Sequence, residues 1–309
     1  VMIYFRAKYD NEKIRKILSV LLIPVGIFRY LYVSIKAYFM DAVPKKCAIV
    51  MIVKNEGRYI KEFMDYYTAL ECDLIIYDND SDDETASIIQ QYDNAKYILW
   101  PGKKRQIDAY NQAIKEYKTQ YKYMMFFDAD EFLTADKLLE GKTLFDIIDS
   151  IFKADKLIAC LGINWLIFGS SGLIDDPECG VIDAFTNAAS DDFEWNQLVK
   201  SCVIPYKIVG WVNPHLPLQA FGLKKVNLDG RKIVRPRNKL PNRRDIRLYH
   251  YFVKNKKHFQ EKVDKGMADR NAKRTMDEFY YYDRNDVSNH KAVDIRNFIL
   301  LNNNKNGEN

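Results

Sequence analysis

The sequence predicts an α/β fold in which a mostly parallel sheet is flanked by helices. Two observations predict it. From residue 47 onward, short apolar runs alternate with amphipathic segments of helical period, which is typical of strands joined by crossover helices. Several of the apolar runs end in polar side chains, as expected where parallel strands present a binding edge. A chain of 309 residues that is 48% hydrophobic can also bury a sizeable core.

The elements follow a regular order in the first part of this region. Apolar runs predict four strands, at residues 47–53, 74–78, 97–100 and 123–130. Amphipathic segments predict helices at residues 57–70, 83–92 and 106–119. The fourth strand, YMMFFDAD, ends in acidic residues. Because parallel strands end at one edge of their sheet, the polar residues that follow these strands should lie close together.

The order of elements is weaker in the second half. An apolar run at 157–168 predicts a strand that leads into a GSSG turn, and residues 174–196 read as an acidic loop. Eight lysine and arginine residues lie between 231 and 247 together with two prolines, so this segment is predicted to be a basic loop. A last helix is predicted at 256–267, and a disordered tail at 302–309.

The N-terminal segment differs from the rest. Residues 17–28 carry no charge, but twelve residues are too few to span a bilayer, which needs about 20 in a helix. Residues 15–40 combine this run with flanking cations and aromatic residues, which favours a helix lying on a membrane surface. The alternative is a helical hairpin packed on the rest of the chain or on a second copy of it. We expect no secretory signal here.

We therefore divide the chain into three regions. Residues 1–45 form the apolar and basic helical segment, residues 46–275 the main domain, and residues 276–309 a C-terminal helical extension with a disordered tail. The formal net charge of +5 comes from 47 basic and 42 acidic residues, a mixed surface that does not favour nucleic acid as a partner. The five cysteines are scattered and form no C-x-x-C pair, which indicates reduced thiols in a cytosolic protein and neither a zinc site nor a disulfide framework.

Asp128 and Asp130, which we call the acidic pair, come directly after the fourth apolar run. Two carboxylates at the end of a buried strand require a cation or a hydrogen-bond network to compensate their charge. Oxygen ligands with positions left for phosphate and water suit Mg²⁺ or Mn²⁺. The alternative is a strand-end turn with capping acids. At the end of the second strand, Asp78 is assigned to a base or a ribose, whereas Asp82, Asp83 and Thr85 can serve as helix caps.

Several runs together resemble the family-2-like and family-92 glycosyltransferases. They are IVKNEGRYIKEFMDYY, IIYDNDSDDET, QIDAYNQAI, FFDADEFL, NWLIFGSSG, VKSCVIP, NPH and LYHYFVKNKKHFQEKVDKG, in this order over about residues 47 to 270. The resemblance implies a GT-A fold with a Rossmann-like sheet. It leaves residues 1–45 unexplained.

The resemblance also implies roles for individual residues. It places Val53, Asn55 and Glu56 near the nucleotide base, in addition to Asp78. It makes the acidic pair the metal site, with Asp128 also reaching the nucleotide. His250 in LYHYF matches the position of a histidine that reaches back to the metal or the diphosphate, although a histidine beside aromatic residues can also be structural.

The remaining candidates concern the sugar and the acceptor. Trp165 and the turn residues Ser170, Ser171 and Gly172 offer an aromatic platform and hydroxyl groups. Lys200 and His215 can bind phosphate or acceptor, or be structural. An inverting transferase needs a carboxylate to take the proton of the acceptor hydroxyl, and spacing does not choose among the candidates. These are Glu131, Asp175, Asp176, Glu178, Asp191, Asp192 and Glu194. We treat Glu131 as site-adjacent because it can also brace the metal loop.

The leading hypothesis is a metal-dependent transferase that moves a hexose from a nucleotide sugar, expected to be a UDP-sugar, to a glycan or lipid-linked acceptor in surface polysaccharide synthesis. It would work in the cytoplasm, peripherally at the inner face of the plasma membrane. One alternative is a nucleotidyl- or pyrophosphoryl-type transferase, although the chain has KNEGR where a Gly-rich phosphate loop would follow the first strand. Another is a non-catalytic carbohydrate-binding membrane protein. A homo-oligomer is also compatible with the sequence.

Overall fold

The computed structural model describes residues 46–265 and 274–306, together with seven isolated positions between residues 24 and 35. Its first part repeats a strand–helix unit three times before a fourth strand. The elements are β1 (Cys47–Val53), α1 (Gly57–Ala69), β2 (Cys72–Asp78), α2 (Thr85–Ile89), β3 (Ala95–Leu99), α3 (Gln106–Tyr117) and β4 (Tyr123–Phe126). All were predicted. However, α2 is shorter than expected, and β4 ends before the acidic pair, which lies in the following turn.

The second part has many short elements that the sequence pattern did not separate. They are β5 (Glu131–Ala135), α4 (Leu144–Lys153), β6 (Ile158–Ile167), α5 (Val181–Ala184), β7 (Asn187–Ala188), β8 (Val199–Val203), β9 (Ile208–Trp211), β10 (Pro217–Gln219), β11 (Lys224–Val226), β12 (Ile246–His250), α6 (Lys256–Lys265), α7 (Met276–Tyr282), β13 (Val287–Ser288) and α8 (Lys291–Asn306). The predicted strand at 157–168 corresponds to β6, and the predicted last helix to α6.

The main sheet is mixed, although most of its pairings are parallel. Its strand order is β3-β2-β1-β4-β8-β6-β12-β5, and β11 pairs with β6 as well. β8 runs antiparallel to β4 and to β6, and β12 runs antiparallel to β5. Parallel neighbours are usually joined through a crossover helix. The connection between β6 and β8, residues 168–198, contains only the four-residue helix α5, the two-residue strand β7 and a 3-10 turn, and β8 returns alongside β6 in the opposite direction.

The sheet is buried on both faces, so its strands read as continuous apolar runs. Ile49 and Met51 of β1 belong to the core cluster that includes Phe63 of α1. Ala48 and Val50 belong to the opposite cluster, with Tyr110 of α3. Successive residues of one strand thus pack on helices of opposite faces.

The C-terminal region is part of the same fold. β13 pairs antiparallel with β7, and Ile295 of α8 is fully buried in the main core. The predicted disordered tail at 302–309 is wrong over its first part, because α8 continues to Asn306. A helix that is anchored at its start by core packing extends with little further cost. Residues 307–309 lie outside the described part.

The predicted N-terminal helical segment lies almost entirely outside the described residues. The described positions are residues 24, 27, 28, 30–32 and 35, and all of them are helical. Ile27, Phe28, Leu31 and Ile35 are all exposed. In the part of the chain that the structure describes, no helix has the length and apolar character needed to cross a bilayer.

Candidate active site

The predicted site residues come from several strands that end at one edge of the sheet. The turn between β4 and β5 carries the acidic pair, and β12 lies beside β5 so that His250 is opposite Glu131. Trp165 lies on β6, next to β12, and Lys200 lies on β8 opposite Ile163 of β6. The topology therefore brings together residues that are more than 120 positions apart in sequence.

Asp128 is held by a buried cation and a buried acid. Lys200, which is 1% exposed, places its Nζ 2.7 Å from Asp128 Oδ2 and 3.6 Å from Glu131 Oε2. The Oε2 atom of Glu131 accepts a hydrogen bond of 2.9 Å from the backbone N–H of Asp128. Burial of Lys200 by itself lowers its pKa, but the two carboxylates outweigh this and raise it, so the lysine is charged. Burial raises the pKa of Glu131 well above its usual value. Glu131 thus braces the turn, which is the alternative role that the sequence suggested for it.

Asp130 pairs with a histidine and a second lysine. His250 Nε2 lies 3.4 Å from Asp130 Oδ1, and Lys262 Nζ lies 3.6 Å from Asp130 Oδ2. Burial raises the pKa of Asp130, but His250 and Lys262 outweigh that effect and hold it well below the usual value. Asp130 is therefore an ionised carboxylate. The backbone N–H of Tyr251 donates to its carbonyl oxygen at 2.9 Å, which fixes the turn against the end of β12.

The donor atoms suit a divalent cation in part. Two ligands of one ion at about 2.0–2.2 Å lie roughly 3 Å apart, close to the 3.4 Å between Asp130 Oδ1 and His250 Nε2. The His250 ring is buried against Trp165 with ring centres 4.3 Å apart. Asp128, in contrast, is directed to Lys200 and to Gln106, whose Nε2 donates to Asp128 Oδ1 at 3.2 Å. Within the described residues no three His, Cys, Asp or Glu side chains are arranged as one metal site. Of the three expected ligands, Asp130 and His250 lie close enough to bind one ion, whereas Asp128 is directed to other partners.

Trp165 and His215 form an aromatic wall beside His250. The Trp165 ring lies between His250 and His215, with ring centres 4.3 and 5.5 Å away. Its indole Nε1–H is buried and has no hydrogen-bond acceptor among the described residues. Burial lowers the pKa of His215 to about 4, and nearby Lys200 lowers it as well, so His215 is neutral at physiological pH. An unsatisfied N–H and a neutral imidazole at this wall suit hydroxyl groups of a ligand.

The hydrogen bonds of the GSSG turn attach it to other parts of the fold, and its contact with a sugar or an acceptor stays a prediction. The backbone N–H of Ser170 donates to Asp283 Oδ1 at 2.6 Å, and that of Ser171 to Asn285 Oδ1 at 2.8 Å. The hydroxyl oxygen of Ser171 accepts from the backbone of residues 186 and 187, and that of Ser170 accepts from the backbone N–H of Gly172. The backbone N–H groups of the turn therefore attach it to the C-terminal region, and the Ser171 hydroxyl attaches it to residues 186 and 187.

The turns after β1 and β2 are joined by reciprocal hydrogen bonds. Asn55 Nδ2 donates to Asp82 Oδ1 at 2.6 Å, and the backbone N–H of Asp82 donates to Asn55 Oδ1 at 3.0 Å. Asp83 Oδ2 accepts from the N–H of Gly57 at the start of α1, and its Oδ1 from that of Thr85 at the start of α2. The predicted capping role of Asp83 is confirmed, and it extends to a second helix.

The residues assigned to the nucleotide differ in how accessible they are. Asp78 is 1% exposed and accepts hydrogen bonds from Ser81 at 2.6 Å and from Tyr97 at 2.9 Å. With a third bond from the backbone N–H of Ser81, Asp78 uses three of the about four acceptor positions of a carboxylate, so its burial is what limits direct contact with a base. Val53 is buried, whereas Asn55 and Glu56 are partly exposed at the edge of the sheet. Asn55 has a φ of 55°, which shapes this turn.

The basic loop before β12 does not supply the cations of the site. Its guanidinium groups pair with acids of the fold: Arg237 with Glu194 at 2.7 Å, Arg247 with Asp191 at 3.0 Å, Arg244 with Asp191 at 3.3 Å and Arg243 with Asp245 at 2.6 Å. Asp191 and Glu194, two candidates for the base, are thereby occupied. Asp176, a third, pairs with Arg58 and accepts from Asn255 at 2.8 Å.

Sequence reasoning identified Lys200 but missed two other cations that lie at the site. Lys262 contacts Asp130 as described, and Lys254 Nζ lies 3.8 Å from Glu56 Oε2. Both belong to the motif LYHYFVKNKKHFQEKVDKG, in which several lysines look alike in sequence. Only the fold shows which of them face inward.

Comparison with known proteins finds similarity over the part of the chain that contains the acidic pair. Residues 48–146 match the family model "Glycosyl transferase family 2", and this stretch includes the acidic pair. A glycosyltransferase family 92 protein of Ricinus communis is 28% identical over 148 residues, which cover 46% of this chain and 26% of the relative. One of Oryza sativa subsp. japonica is 25% identical over 187 residues, which cover 59% of this chain and 31% of the relative.

These matches span about a quarter to a third of the length of the two plant proteins. A crystal structure of S. aureus TarS (residues 1–349) is 15% identical over 51% of this chain and 46% of that one, but its TM-score of 0.34 is too low to support an argument. Residues 48–146 thus match a glycosyltransferase family 2 domain, and the chain is a distant homologue of family 92 proteins.

Proposed function

We propose that this chain is a metal-dependent glycosyltransferase that moves a hexose from a nucleotide sugar, most simply a UDP-sugar, to a glycan or lipid-linked acceptor. The observation that carries the proposal is the meeting of Asp130 and His250, 3.4 Å apart, one residue away from Asp128 at the carboxyl edge of the sheet. The family match supports the general class of reaction. The sugar, the nucleotide and the acceptor are parts of the proposal.

The residues divide into three tasks. Asp130 and His250 would hold Mn²⁺ or Mg²⁺, with Asp128 joining them once it is released from Lys200. When bound, the ion supplies positive charge to the leaving nucleoside diphosphate. Lys200 stays within reach of the same place and adds a fixed positive charge. Trp165 and His215 face the region where the sugar would lie, and the turn that contains Asn55 and Glu56 faces the nucleotide.

The strongest test of this function is the substitution Asp130→Asn. It removes the charge of a metal ligand and keeps its volume, so we expect the fold to persist and sugar-nucleotide turnover to fall by a factor of at least about 100, as for loss of one preorganised electrostatic contact. Turnover should be measured in Mn²⁺ over a panel of nucleotide sugars, with circular dichroism as the check on folding.

Near-full turnover of Asp130→Asn in saturating Mn²⁺ would contradict the metal assignment. Asp136→Asn is a matched control, because Asp136 is also an aspartate near β5 but pairs at the surface with Lys291. A wild-type protein that is neither stabilised by UDP with Mn²⁺ nor active on any nucleotide sugar would contradict the proposed function itself.

We also propose that the protein works peripherally at the cytoplasmic face of the plasma membrane, in the synthesis of a surface polysaccharide. The support is the short apolar run between cations at residues 15–40 and the exposure of Phe28 and Leu31. A lipid-linked acceptor would be reached most directly from such a position. Packing of this segment on a second copy of the chain is the competing arrangement.

A further inference from the structure

A pair of lysines lies beside the acidic pair, on the segment that follows β12. Lys254 lies in the loop between β12 and α6, and Lys262 lies on α6. Lys254 is 1% exposed, and its Nζ makes no hydrogen bond within the described residues. Its nearest acid is Glu56, with Oε2 at 3.8 Å, and the centre of the Tyr59 ring is 4.2 Å away. We call Lys254 and Lys262 the lysine pair.

The environment of Lys254 is costly as it stands. A buried ammonium group needs acceptors for its three N–H groups, and a contact of 3.8 Å does not supply a hydrogen bond. The backbone of Lys254 has a φ of 52°, a conformation that few residues other than glycine adopt. Strain and an unsatisfied buried charge at one residue, close to Glu56 at the edge of the sheet, indicate a site that a ligand completes. The ligand must be an anion with several acceptor atoms.

Lys262 is placed where it meets the predicted metal ligand. Its Nζ donates to the carbonyl oxygen of Phe252 at 3.1 Å and lies 3.6 Å from Asp130 Oδ2. A divalent cation on Asp130 would repel this ammonium group, because both are positive and only a few ångströms apart. Metal binding therefore favours a new anionic partner for Lys262.

Other cations nearby already have partners. Arg58 and Lys257 both pair with Asp176, the latter at 3.6 Å. Arg274 Nε lies 3.5 Å from Glu278 Oε2 without forming a hydrogen bond, and its guanidinium lies over the Phe252 ring. The lysine pair differs in burial and position: Lys254 is 1% exposed with the carboxylate of Glu56 3.8 Å away, and Lys262 contacts the carboxylate that the metal would take.

We propose that the lysine pair binds the phosphate oxygens of the donor's diphosphate, and that Lys262 exchanges Asp130 for a phosphate when Asp130 binds the metal. Phosphate oxygens are strong acceptors for ammonium groups, and charge-assisted bonds to them are about twice as strong as neutral ones. The identification of the ligand as a nucleoside diphosphate rests on the proposed function. The lysine pair itself requires only a diphosphate.

The test measures two ligands separately on the full chain. Pyrophosphate binding is measured by calorimetry in Mg²⁺, and Mn²⁺ binding without phosphate is measured from the electron paramagnetic resonance signal of the free ion. Lys254→Gln and Lys262→Gln should each weaken pyrophosphate binding at least about tenfold, as expected for loss of a charge-assisted bond. Lys262→Gln should leave Mn²⁺ binding unchanged or make it tighter, because it removes a competing cation from Asp130.

Lys256→Gln is the matched control, since Lys256 lies on α6, as Lys262 does, but has an exposed side chain. Pyrophosphate binding by both lysine-pair variants within threefold of this control would overturn the proposal. Equal weakening of Mn²⁺ and pyrophosphate by Lys262→Gln would also overturn it, because that is the effect of a purely structural residue. If Lys262→Gln unfolds the protein, Lys262→Met is measured instead, because it keeps the apolar part of the side chain. It should weaken pyrophosphate binding and leave Mn²⁺ binding unchanged or tighter.

A comparison of UDP binding with pyrophosphate binding separates the proposed function from this inference. If the wild type binds pyrophosphate through the lysine pair but binds UDP no more tightly than pyrophosphate, the anion site stands and the nucleotide assignment fails. If it binds UDP in Mn²⁺ and the lysine substitutions have no effect on pyrophosphate, the inference fails and the proposed function stands.

Discussion

At the scale of residues, the site is a set of charges held by one another. Asp128 pairs with Lys200, Asp130 with His250 and Lys262, and the buried Glu131 holds the turn from beneath. Buried charges of this kind contribute little net stability, because the cost of removing them from water offsets their attraction. Their arrangement is better explained by a ligand that they bind. Removing one member leaves its partner buried without a counter-charge, which also destabilises the fold, so the folding of each variant must be measured beside its binding.

His250 is where this can be measured. We expect His250→Ala to weaken UDP binding in Mn²⁺ by at least about tenfold, or roughly 1.4 kcal/mol, since its Nε2 is beside Asp130 Oδ1. Without metal the same substitution should change UDP affinity much less. The two measurements form a double-mutant-type cycle that separates metal ligation from packing. Equal losses with and without Mn²⁺ would assign His250 to packing against Trp165 only.

The candidate site was predictable from the sequence in some residues and hidden in others. The acidic pair was visible because two acids follow an apolar run, and His250 became visible through the motif around it. Lys254 and Lys262 were not, since lysines on a polar helix usually face water and nothing local marks the exceptions. The sequence of the basic loop likewise does not show where its arginines point. Arg247 and Arg244, for example, both pair with Asp191, which is 56 and 53 positions away.

At the scale of elements, the turns after β1 and β2 hold the start of α1 and the start of α2 in one network. Asp83 links them, because its two carboxylate oxygens accept from Gly57 of α1 and Thr85 of α2. Burial of Asp83 raises its pKa, but the hydrogen bonds from Thr85 and Gly57 outweigh this and lower it. The nucleotide side of the site is therefore set by capping interactions.

Asp83→Ala should lower the free energy of unfolding by about 1–2 kcal/mol at pH 7, the usual cost of losing a cap. Because the folded-state pKa of Asp83 is depressed, its contribution is present above the unfolded-state pKa of about 3.9 and is lost as pH falls through the folded value. The difference between wild type and variant should thus shrink below about pH 4. Urea unfolding at several pH values measures it, with Glu84→Gln in the same turn as the control. A difference that is constant down to pH 3 would exclude the carboxylate as its source.

The first strands and helices could be predicted because each has a clear period and a short connection. β5 and β8 to β11 could not, because they are three to five residues long, and β5, β8 and β11 gain their stability from partners distant in sequence. The pairing of His250 with Glu131 across β12 and β5 joins positions 119 apart, and no local pattern announces it. The mixed direction of the sheet follows from those pairings.

At the scale of the whole molecule, the described positions of the N-terminal segment expose apolar side chains that could contact a membrane or another protein chain. Phe28 is 73% exposed and Leu31 is 47% exposed, three positions apart on a helix and therefore on the same side. Two large apolar side chains on one side, near cations, suit the interface of an anionic bilayer. They would suit a second copy of the chain as well.

The combined substitution Phe28→Glu and Leu31→Glu should reduce co-sedimentation with anionic liposomes severalfold, because it places charge in the apolar contact. Hydrolysis of the sugar nucleotide in solution should change little. Leu301→Glu is the matched control, an exposed leucine on α8. Unchanged liposome binding together with a shift in molecular mass by light scattering would favour contact between copies of the chain.

The attachment of the GSSG turn to Asp283 and Asn285 has a consequence for how the protein is made. During translation, the strands and helices up to β4 emerge from the ribosome early and can form their local contacts as they appear. The two backbone N–H groups of the turn, in contrast, gain their acceptors only after more than 110 further residues have been synthesised. A ribosome-bound nascent chain that ends before residue 283 would therefore have its acidic pair, yet its turn could not reach the native conformation.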